Sequence, residues 1–233
     1  MPQTPAISII IPVLNEAQQI QALLQELVCL PELAEIIVVD GGSTDGTPAL
    51  AQQNVAVRVV EFGRASRASQ MNAGAAVASG DILLFLHADV RLPLSALADI
   101  RAALHAEHVV GGCFAFGFPV NVPRAYRIYA WGINLRTRWF QTATGDQAIF
   151  VRRSVFERLG GYPPIPLMED IELFNALKRQ GRVALLPSAV CVSPRRWQQS
   201  GLVRTGLLMY ALRLGYWLGL SPASLKRFFL DVR

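Results

Sequence analysis

The run Leu84-Phe85-Leu86-His87-Ala88-Asp89 ends an apolar stretch in two side chains that can ligate a metal ion. His87 and Asp89 are two residues apart, so an extended backbone puts both on one face. Mg²⁺ and Mn²⁺ are commonly held through one carboxylate and the substrate's phosphates, and imidazole suits Mn²⁺ better than Mg²⁺. The plainer reading is a turn cap at Asp89 beside a hydrogen-bonded histidine. Farther on, Met168-Glu169-Asp170 opens a helical pattern with two adjacent acids. Crowded carboxylates shift one another's pKa and suit a general base, although acids favour the first turn of any helix.

Other segments suit an anionic ligand. Val38-Val39-Asp40-Gly41-Gly42-Ser43-Thr44-Asp45 sets a carboxylate straight after an apolar run. There it can accept hydrogen bonds from a base or a ribose, while the glycines admit close backbone approach. A tight turn with Ser43 or Asp45 bonding local backbone explains the same residues. Pro12-Val13-Leu14-Asn15-Glu16 is either a neighbouring binding edge or an Asn15 N-cap with Glu16 in the first helical turn. Arg64 and Arg67 precede Gln70, Asn72 and Gly74 in an Ala-rich stretch. Arginines at a helix N-terminus oppose its dipole; a bound diphosphate would offset this, and solvation of the arginines is the alternative. Ser193-Pro194-Arg195-Arg196-Trp197 joins guanidinium forks that match phosphate oxygens to a tryptophan that can wall a sugar or lipid. A basic loop with a packing anchor is the other reading.

Regular elements must hold these segments in place. Apolar, β-branched runs predict strands at Ile7–Val13, Glu35–Asp40, 57–62 and 81–86, and helical spacing predicts helices over 15–30, 65–78 and 93–105. Thr47-Pro48 can open a short helix. Strands apolar on both faces, alternating with helices, mean a mostly parallel, Rossmann-like sheet flanked by helices. Ligands of such sheets bind beyond the carboxyl ends of the strands, where Asn15, Glu16, Asp40, His87 and Asp89 stand. The second half is less regular. It predicts strands at 109–118, 147–151, 183–186 and 189–192, helices at 122–140 and 168–180, and a helical tail from 199 broken at Ser221-Pro222. The resulting division is a domain over 1–198 and a helical C-terminal extension over 199–233.

Of the 233 residues, 52% are hydrophobic and 17% charged, so the core is large or apolar surface meets a lipid or a partner. The net charge of +5 gathers in arginines and lysines from Arg124 onward and suits phosphates, anionic lipid or simply solvent. Charge alone does not make a nucleic-acid binder, and no such module is present. Cys29, Cys113 and Cys191 are widely spaced, which suggests reduced, buried thiols and a cytoplasmic protein. The N-terminus lacks the basic region of a signal peptide. The most apolar tail segment, 202–220, is interrupted by Arg204 and Arg213 and does not read as a membrane span.

In order and spacing the motifs SIIIPVLNE, EIIVVDGGSTDGT, the NAG helix, LLFLHAD, GDQAIFVRR, GGYPPIPLMEDIEL and SPRRW are specific, and they run nearly the length of the chain. Together they resemble family 2 of the glycosyltransferases, most closely the short bacterial members without a multi-span membrane domain. The resemblance implies the GT-A fold and transfer of a sugar from a nucleotide-diphosphate donor to an acceptor hydroxyl, with inversion. It implies that Glu16 and Asp40 bind the nucleoside, within a donor site of Pro12, Asn15, Glu16, Asp40, Ser43, Arg67 and Asn72. It also implies that His87-Ala88-Asp89 meets a divalent metal (Mn²⁺ or Mg²⁺, through Asp89) and the diphosphate. Asp170 becomes the base, Glu169 helps place the acceptor, and Arg195, Arg196 and Trp197 meet diphosphate and acceptor. Two positions depart from the pattern. His87 replaces the first acid of D-x-D, and Ser193 replaces the glutamine of Q-x-x-R-W. All three histidines lie between His87 and His108, so no late histidine completes a metal shell.

Two competing readings follow. A non-catalytic nucleotide-sugar-binding scaffold would explain His87 but not Asp89, Asp170 and Arg196 together. A sugar-phosphate nucleotidyltransferase would need a glycine- and lysine-rich loop where Pro12–Glu16 stands. The segment 126–140 and the tail to Arg233 either dock on anionic membrane at its inner face, near a lipid-linked acceptor, or pack as helices or a homodimer interface.

Overall fold

The computed structural model describes residues 4–32, 35–63 and 66–231. The elements follow in the order β1 (Ile7–Val13), α1 (Ala17–Val28), β2 (Glu35–Asp40), α2 (Thr47–Gln52), β3 (Val57–Glu61), α3 (Arg67–Val77), β4 (Ile82–Phe85), β5 (Val90–Arg91) and α4 (Ala96–Leu104). Then come β6 (Val109–Gly117), α5 (Arg124–Phe140), a 3₁₀ turn (Gly145–Gln147), β7 (Ile149–Arg152), α6 (Arg153–Arg158) and α7 (Glu169–Gln180). The chain closes with β8 (Arg182–Val192), α8 (Arg195–Ser200), α9 (Leu202–Trp217) and α10 (Pro222–Asp231).

The strands form one mixed sheet in the order β3-β2-β1-β4-β7-β6-β8-β5. β3, β2, β1 and β4 are parallel. β7 runs antiparallel between β4 and β6, and β8 returns parallel to β6. Every residue of β1 is buried, and alternation splits it between two cores. Ile9 and Ile11 join Leu23, Leu27, Leu97 and Ile100 of α1 and α4 on one face. Ile10 joins Met71 of α3 and Phe174 and Leu177 of α7 on the other. A strand covered on both sides has no polar face to alternate with, which is why it reads as an unbroken apolar run.

α3 lies close over the sheet because Gly74 has no side chain; a Cβ there would sit 2.5 Å from Ile10 Cγ2. That closeness lets Gln70 donate from Nε2 to both the Val13 and Val39 carbonyls at 2.8 Å, tying together the carboxyl ends of β1 and β2.

Several expectations are corrected. The strands expected at 183–186 and 189–192 are one strand, β8. Its ladder to β6 skips Pro187 and Ser188, since Leu186 pairs Phe114 and Ala189 pairs Ala115. Proline has no N–H to give the ladder, so the pairing slips there without ending. The strand expected from 147 starts at Ile149, after the 3₁₀ turn. β5, α6 and α8 are additional. Cys113 is buried, but Cys191 is half-buried and Cys29 exposed; all three are free thiols. Cys29 follows α1 on its solvent side, past the stripe Ile20, Leu23, Leu24 and Leu27 that faces the core. No helix among the described residues is long and apolar enough to cross a membrane. Arg64 lies outside the described residues.

Candidate active site

The ends of β1 and β2 are wired to each other. Asn15 adopts φ 56°, a left-handed conformation that asparagine tolerates. It is not the N-cap of α1; that position falls to Glu16, without a side-chain cap bond. The Asn15 Oδ1 instead accepts from the Thr44 N–H at 2.9 Å, and the Asn15 N–H donates to Ser43 Oγ at 2.9 Å. The first amides of α1 are satisfied from the neighbouring loop: Glu16 N–H donates to Thr47 Oγ1 and Ala17 N–H to Asp45 Oδ2. Asp40 accepts from Gly42 and Ser43 N–H through Oδ2, both at 2.9 Å. Its Oδ1 is buried with no protein partner. A buried carboxylate oxygen left unpaired is costly, so this atom is an open acceptor for a ligand donor.

At the end of β4, His87 is buried and its Nδ1 lies 3.1 Å from Asp146 Oδ1. One ligand atom each from His87, Asp89 and Asp146 lie within 4.8 Å of one another. Asp146, from the 3₁₀ turn, is the acid that sequence reasoning missed. Burial works to raise its pKa. The His87 hydrogen bond and the charges of Arg196, His87 and Arg67 outweigh that and hold the carboxyl well below the usual range. The set therefore offers one imidazole and two acids, of which Asp146 is held ionised. That donor set fits a divalent ion.

Gly145, beside Asp146, connects this cluster to the acidic pair of α7. Its N–H donates to Asp170 Oδ2 at 2.9 Å. A Cβ on Gly145 would lie 2.3 Å from His87 Cε1 and Nε2 and 2.8 Å from Asp170 Oδ2, so only glycine fits. Asp170 and Glu169 are both buried, and Asp170 Oδ1 has no protein partner. Burial first, and then the Asp170 charge, raise the Glu169 pKa.

The basic residues arrive from β8. The Ser193 N–H donates to the Asp89 carbonyl at 2.9 Å, which seats the start of α8 against the end of β4. Pro12, Glu16, Arg67, His87, Ala88, Asp89, Arg195 and Arg196 then line one polar cleft, together with Gln199 and Ser200. The last two were not anticipated, because nothing in their types marks them. Arg195 Nη2 is 3.9 Å from Glu16 Oε2, which joins the two sides of the cleft. Asn15, Asp40 and Ser43 do not line it and stand at the adjoining loop.

Two expected donor contacts lie elsewhere. Both ends of the Asn72 amide are taken by the Tyr162 backbone, at 2.8 and 2.9 Å. Trp197 is buried among Phe118, Phe116 and Tyr129, with ring centroids at 4.9, 6.0 and 6.2 Å. It borders a second recess, on the far side of Arg196.

An α/β sheet with a polar cleft across the carboxyl ends of its parallel strands defines the nucleotide-binding class of folds. Residues 8–160 match the family model for glycosyl transferase family 2, and the chain belongs to that family. It is 34% identical over 172 residues to the PGL/p-HBAD biosynthesis glycosyltransferase of Mycobacterium bovis (strain BCG / Pasteur 1173P2), covering 68% of this chain and 63% of that protein. It is 26% identical over 226 residues to the probable glycosyltransferase YdaM of Bacillus subtilis (strain 168), covering 85% of this chain and 53% of that protein. The chain thus spans between half and two thirds of the length of these relatives. Among solved structures, the mannosyltransferase PcManGT from Pyrobaculum calidifontis, in complex with GDP-Man and Mn²⁺, superposes with a TM-score of 0.66 at 22% identity, over 91% of this chain and 65% of that one. S. aureus TarS 1-349 in complex with UDP-GlcNAc superposes with a TM-score of 0.64 at 19% identity, over 81% and 58%. These two likenesses establish the GT-A architecture.

Proposed function

We propose that the protein is an inverting, divalent-metal-dependent glycosyltransferase that moves a sugar from a nucleotide-diphosphate donor to an acceptor hydroxyl. One observation carries this reading. The turn Gly145-Asp146 joins the His87–Asp89–Asp146 cluster to Asp170, so a place for the leaving diphosphate and a buried base adjoin on one short segment. Neither the scaffold reading nor nucleotidyl transfer calls for a base beside the metal cluster. The solved relatives described with GDP-Man and Mn²⁺ and with UDP-GlcNAc support the donor class.

Glu16 and the open Oδ1 of Asp40 take the nucleoside, next to Pro12, Asn15 and Ser43. Arg67, Arg195 and Arg196 face the diphosphate, where guanidinium charge is worth most as the leaving group gains negative charge. His87, Asp89 and Asp146 would hold a divalent ion, which would supply further positive charge for the departing diphosphate. Asp170 accepts the proton of the acceptor hydroxyl through Oδ1. The acceptor oxygen bonds to the anomeric carbon from one side while the bond to the diphosphate oxygen breaks on the other, which inverts that carbon. Glu169, whose pKa is raised by burial and by the charge of Asp170, positions the acceptor. Asn72 acts through Tyr162, and Trp197 through its aromatic neighbours.

The division into a domain over 1–198 and an extension over 199–233 also stands as a proposal, with α9 completing the wall of the site. α5 and α9 expose Ile128, Trp131, Leu207, Tyr210 and Trp217, and Arg124 and Arg127 adjoin Ile128 and Trp131. Apolar and cationic side chains on one surface match an anionic, inner-face membrane that carries a lipid-linked acceptor. Flotation with anionic vesicles tests this. Protein that stays at the bottom as a homodimer assigns the surface to a second copy.

The deciding experiment is thermal unfolding with UDP, GDP, CDP and dTDP, each with and without Mn²⁺ or Mg²⁺. A ligand of the native state must raise stability by mass action. We expect one nucleotide to stabilise selectively, in a metal-dependent way that Asp89→Ala and Asp146→Asn both abolish. No stabilisation by any nucleotide overturns the reading in favour of the scaffold.

A further inference from the structure

Beyond Arg196 the polar cleft gives way to a second recess between α5 and α9. Its walls are Tyr129 and Arg136 from α5, Tyr210 and Arg213 from α9, and the Asp146 and Arg196 side chains shared with the cluster and the cleft. Neither Arg136 nor Arg213 forms a salt bridge among the described residues. Arg136 Nε and Arg213 Nη2 are buried with no hydrogen-bond partner, and the one side-chain bond Arg136 makes is a long 3.5 Å contact to Gln147 Oε1. Asp146, the acid in the recess, is already paired with His87. Three guanidiniums therefore face one committed carboxylate.

Burial of a guanidinium without a partner opposes folding. The strain shows in both groups. Burial, followed by the charge of Arg136, pushes Arg213 down to about 10, and burial lowers Arg136 as well. A site that holds two such charges in place is built for an anion that arrives later. The anion is not the donor's diphosphate, which has Arg67, Arg195 and Arg196 at the first cleft. The recess lies on the acceptor side. It shares Asp146 with the metal cluster, and Gly145, next to Asp146, donates its N–H to Asp170 at 2.9 Å.

We propose that Arg136 and Arg213 bind the phosphate of a phosphorylated acceptor and so set its hydroxyl beside Asp170. A phosphate monoester is the best match, because it brings two negative charges to the two guanidiniums of Arg136 and Arg213, which no salt bridge engages, and oxygens that both forks can share. Tyr129, held protonated by its burial, adds a donor. Arg213 comes from α9, outside the matched residues 8–160. The proposal deepens the glycosyltransferase reading, which supplies the acceptor's place, but its binding test does not depend on transfer.

The test measures calorimetric binding of phenyl phosphate, and of phenylacetate as the singly charged control, to wild type, Arg136→Gln, Arg213→Met and Arg195→Gln. A second arm uses phosphatidylcholine vesicles with and without a long-chain lipid phosphomonoester. We expect Arg136→Gln and Arg213→Met each to weaken the phosphate at least tenfold, about 1.4 kcal/mol, while Arg195→Gln, on the donor side, leaves it in place. Arg213→Met should also unfold at the same or a higher temperature than wild type, since it removes a half-buried charge whose Nη2 has no partner; a purely structural arginine would lower it. Arginine-dependent binding of phenyl phosphate supports a soluble phosphorylated acceptor. The same dependence seen only with lipid phosphomonoester vesicles supports a lipid-linked one. The proposal falls if no binding depends on these two arginines, if phenylacetate binds as tightly as phenyl phosphate, or if only Arg195→Gln abolishes phosphate binding. Loss of nucleotide binding with retention of phosphate binding would overturn the donor reading alone.

Discussion

The Gly145 N–H donates to Asp170 Oδ2 at 2.9 Å, and that oxygen and the His87 ring both stand where a Cβ on Gly145 would go. One residue without a side chain thus sets the spacing between the metal cluster and the buried acid.

Gly145→Ala tests that spacing. The added Cβ would lie 2.3 Å from the His87 ring and 2.8 Å from Asp170, so both groups must move. Displacement of catalytic groups by about 1 Å costs on the order of a hundredfold in rate. We expect kcat to fall by about that factor, with the far-UV spectrum unchanged. Near-normal turnover would remove Gly145 from the argument.

Asp170→Asn keeps the side chain's shape and removes its basicity. General-base contributions are roughly 10²–10⁴-fold, so single-turnover sugar transfer should slow by about that range while nucleotide stabilisation stays as in wild type. If transfer persists at the wild-type rate, Asp170 is not the base. Glu169→Gln should act chiefly on the acceptor KM.

Glu35 gives the fold a pH-sensitive tie. Its Oε1 accepts from Ser8 Oγ at 2.5 Å, Ser79 Oγ at 2.6 Å, and the Ser79 and Gly80 N–H groups. Burial works against ionisation, but the bonds from Ser79, Ser8 and Gly80 outweigh it and hold the pKa below 4.5. A carboxyl whose folded pKa is depressed stabilises fully above its unfolded value and loses that contribution as pH falls through the folded one. Wild type should therefore exceed Glu35→Gln in melting temperature at about pH 6, and the gap should narrow by about pH 3. A gap independent of pH would show that ionisation is irrelevant there.

Gln70→Ala removes the amide that ties the ends of β1 and β2, although the Val13 carbonyl keeps the Gly41 N–H at 2.9 Å. Each hydrogen bond lost costs about 0.5–1.5 kcal/mol. Urea unfolding should show a loss of that order, and a change near zero would mean that water replaces the amide.

Much of the site was legible along the chain. Strand ends in an open α/β sheet carry ligand-facing groups, so reading Glu16, Asp40, His87 and Asp89 as polar residues after apolar runs located one edge of the sheet. Local signals failed where a side chain's role depends on a distant partner. Trp197 looks like a ligand wall in isolation, yet α8 lays it against Phe116 and Phe118. Asn72 looks like a contact, yet the Tyr162 backbone occupies its amide.

The periodicity of apolar residues, by itself, determined most of the strands and helices around the cleft and the open α/β sheet, because those depend on which face of each element avoids water; the family came from the resemblance of the ordered motifs. The tertiary structure alone decided that Asp146 completes the cluster. Phe85 pairs with Ile149 in the antiparallel β4–β7 ladder. Continuing that register by two residues brings position 87 opposite 147, with Asp146 adjacent. Arg136 and Arg213 meet for the same kind of reason, through the packing of α9 on α5, where Gly206 admits Tyr129. A ladder register and a helix-on-helix contact join residues many positions apart, and no local pattern records which two will touch.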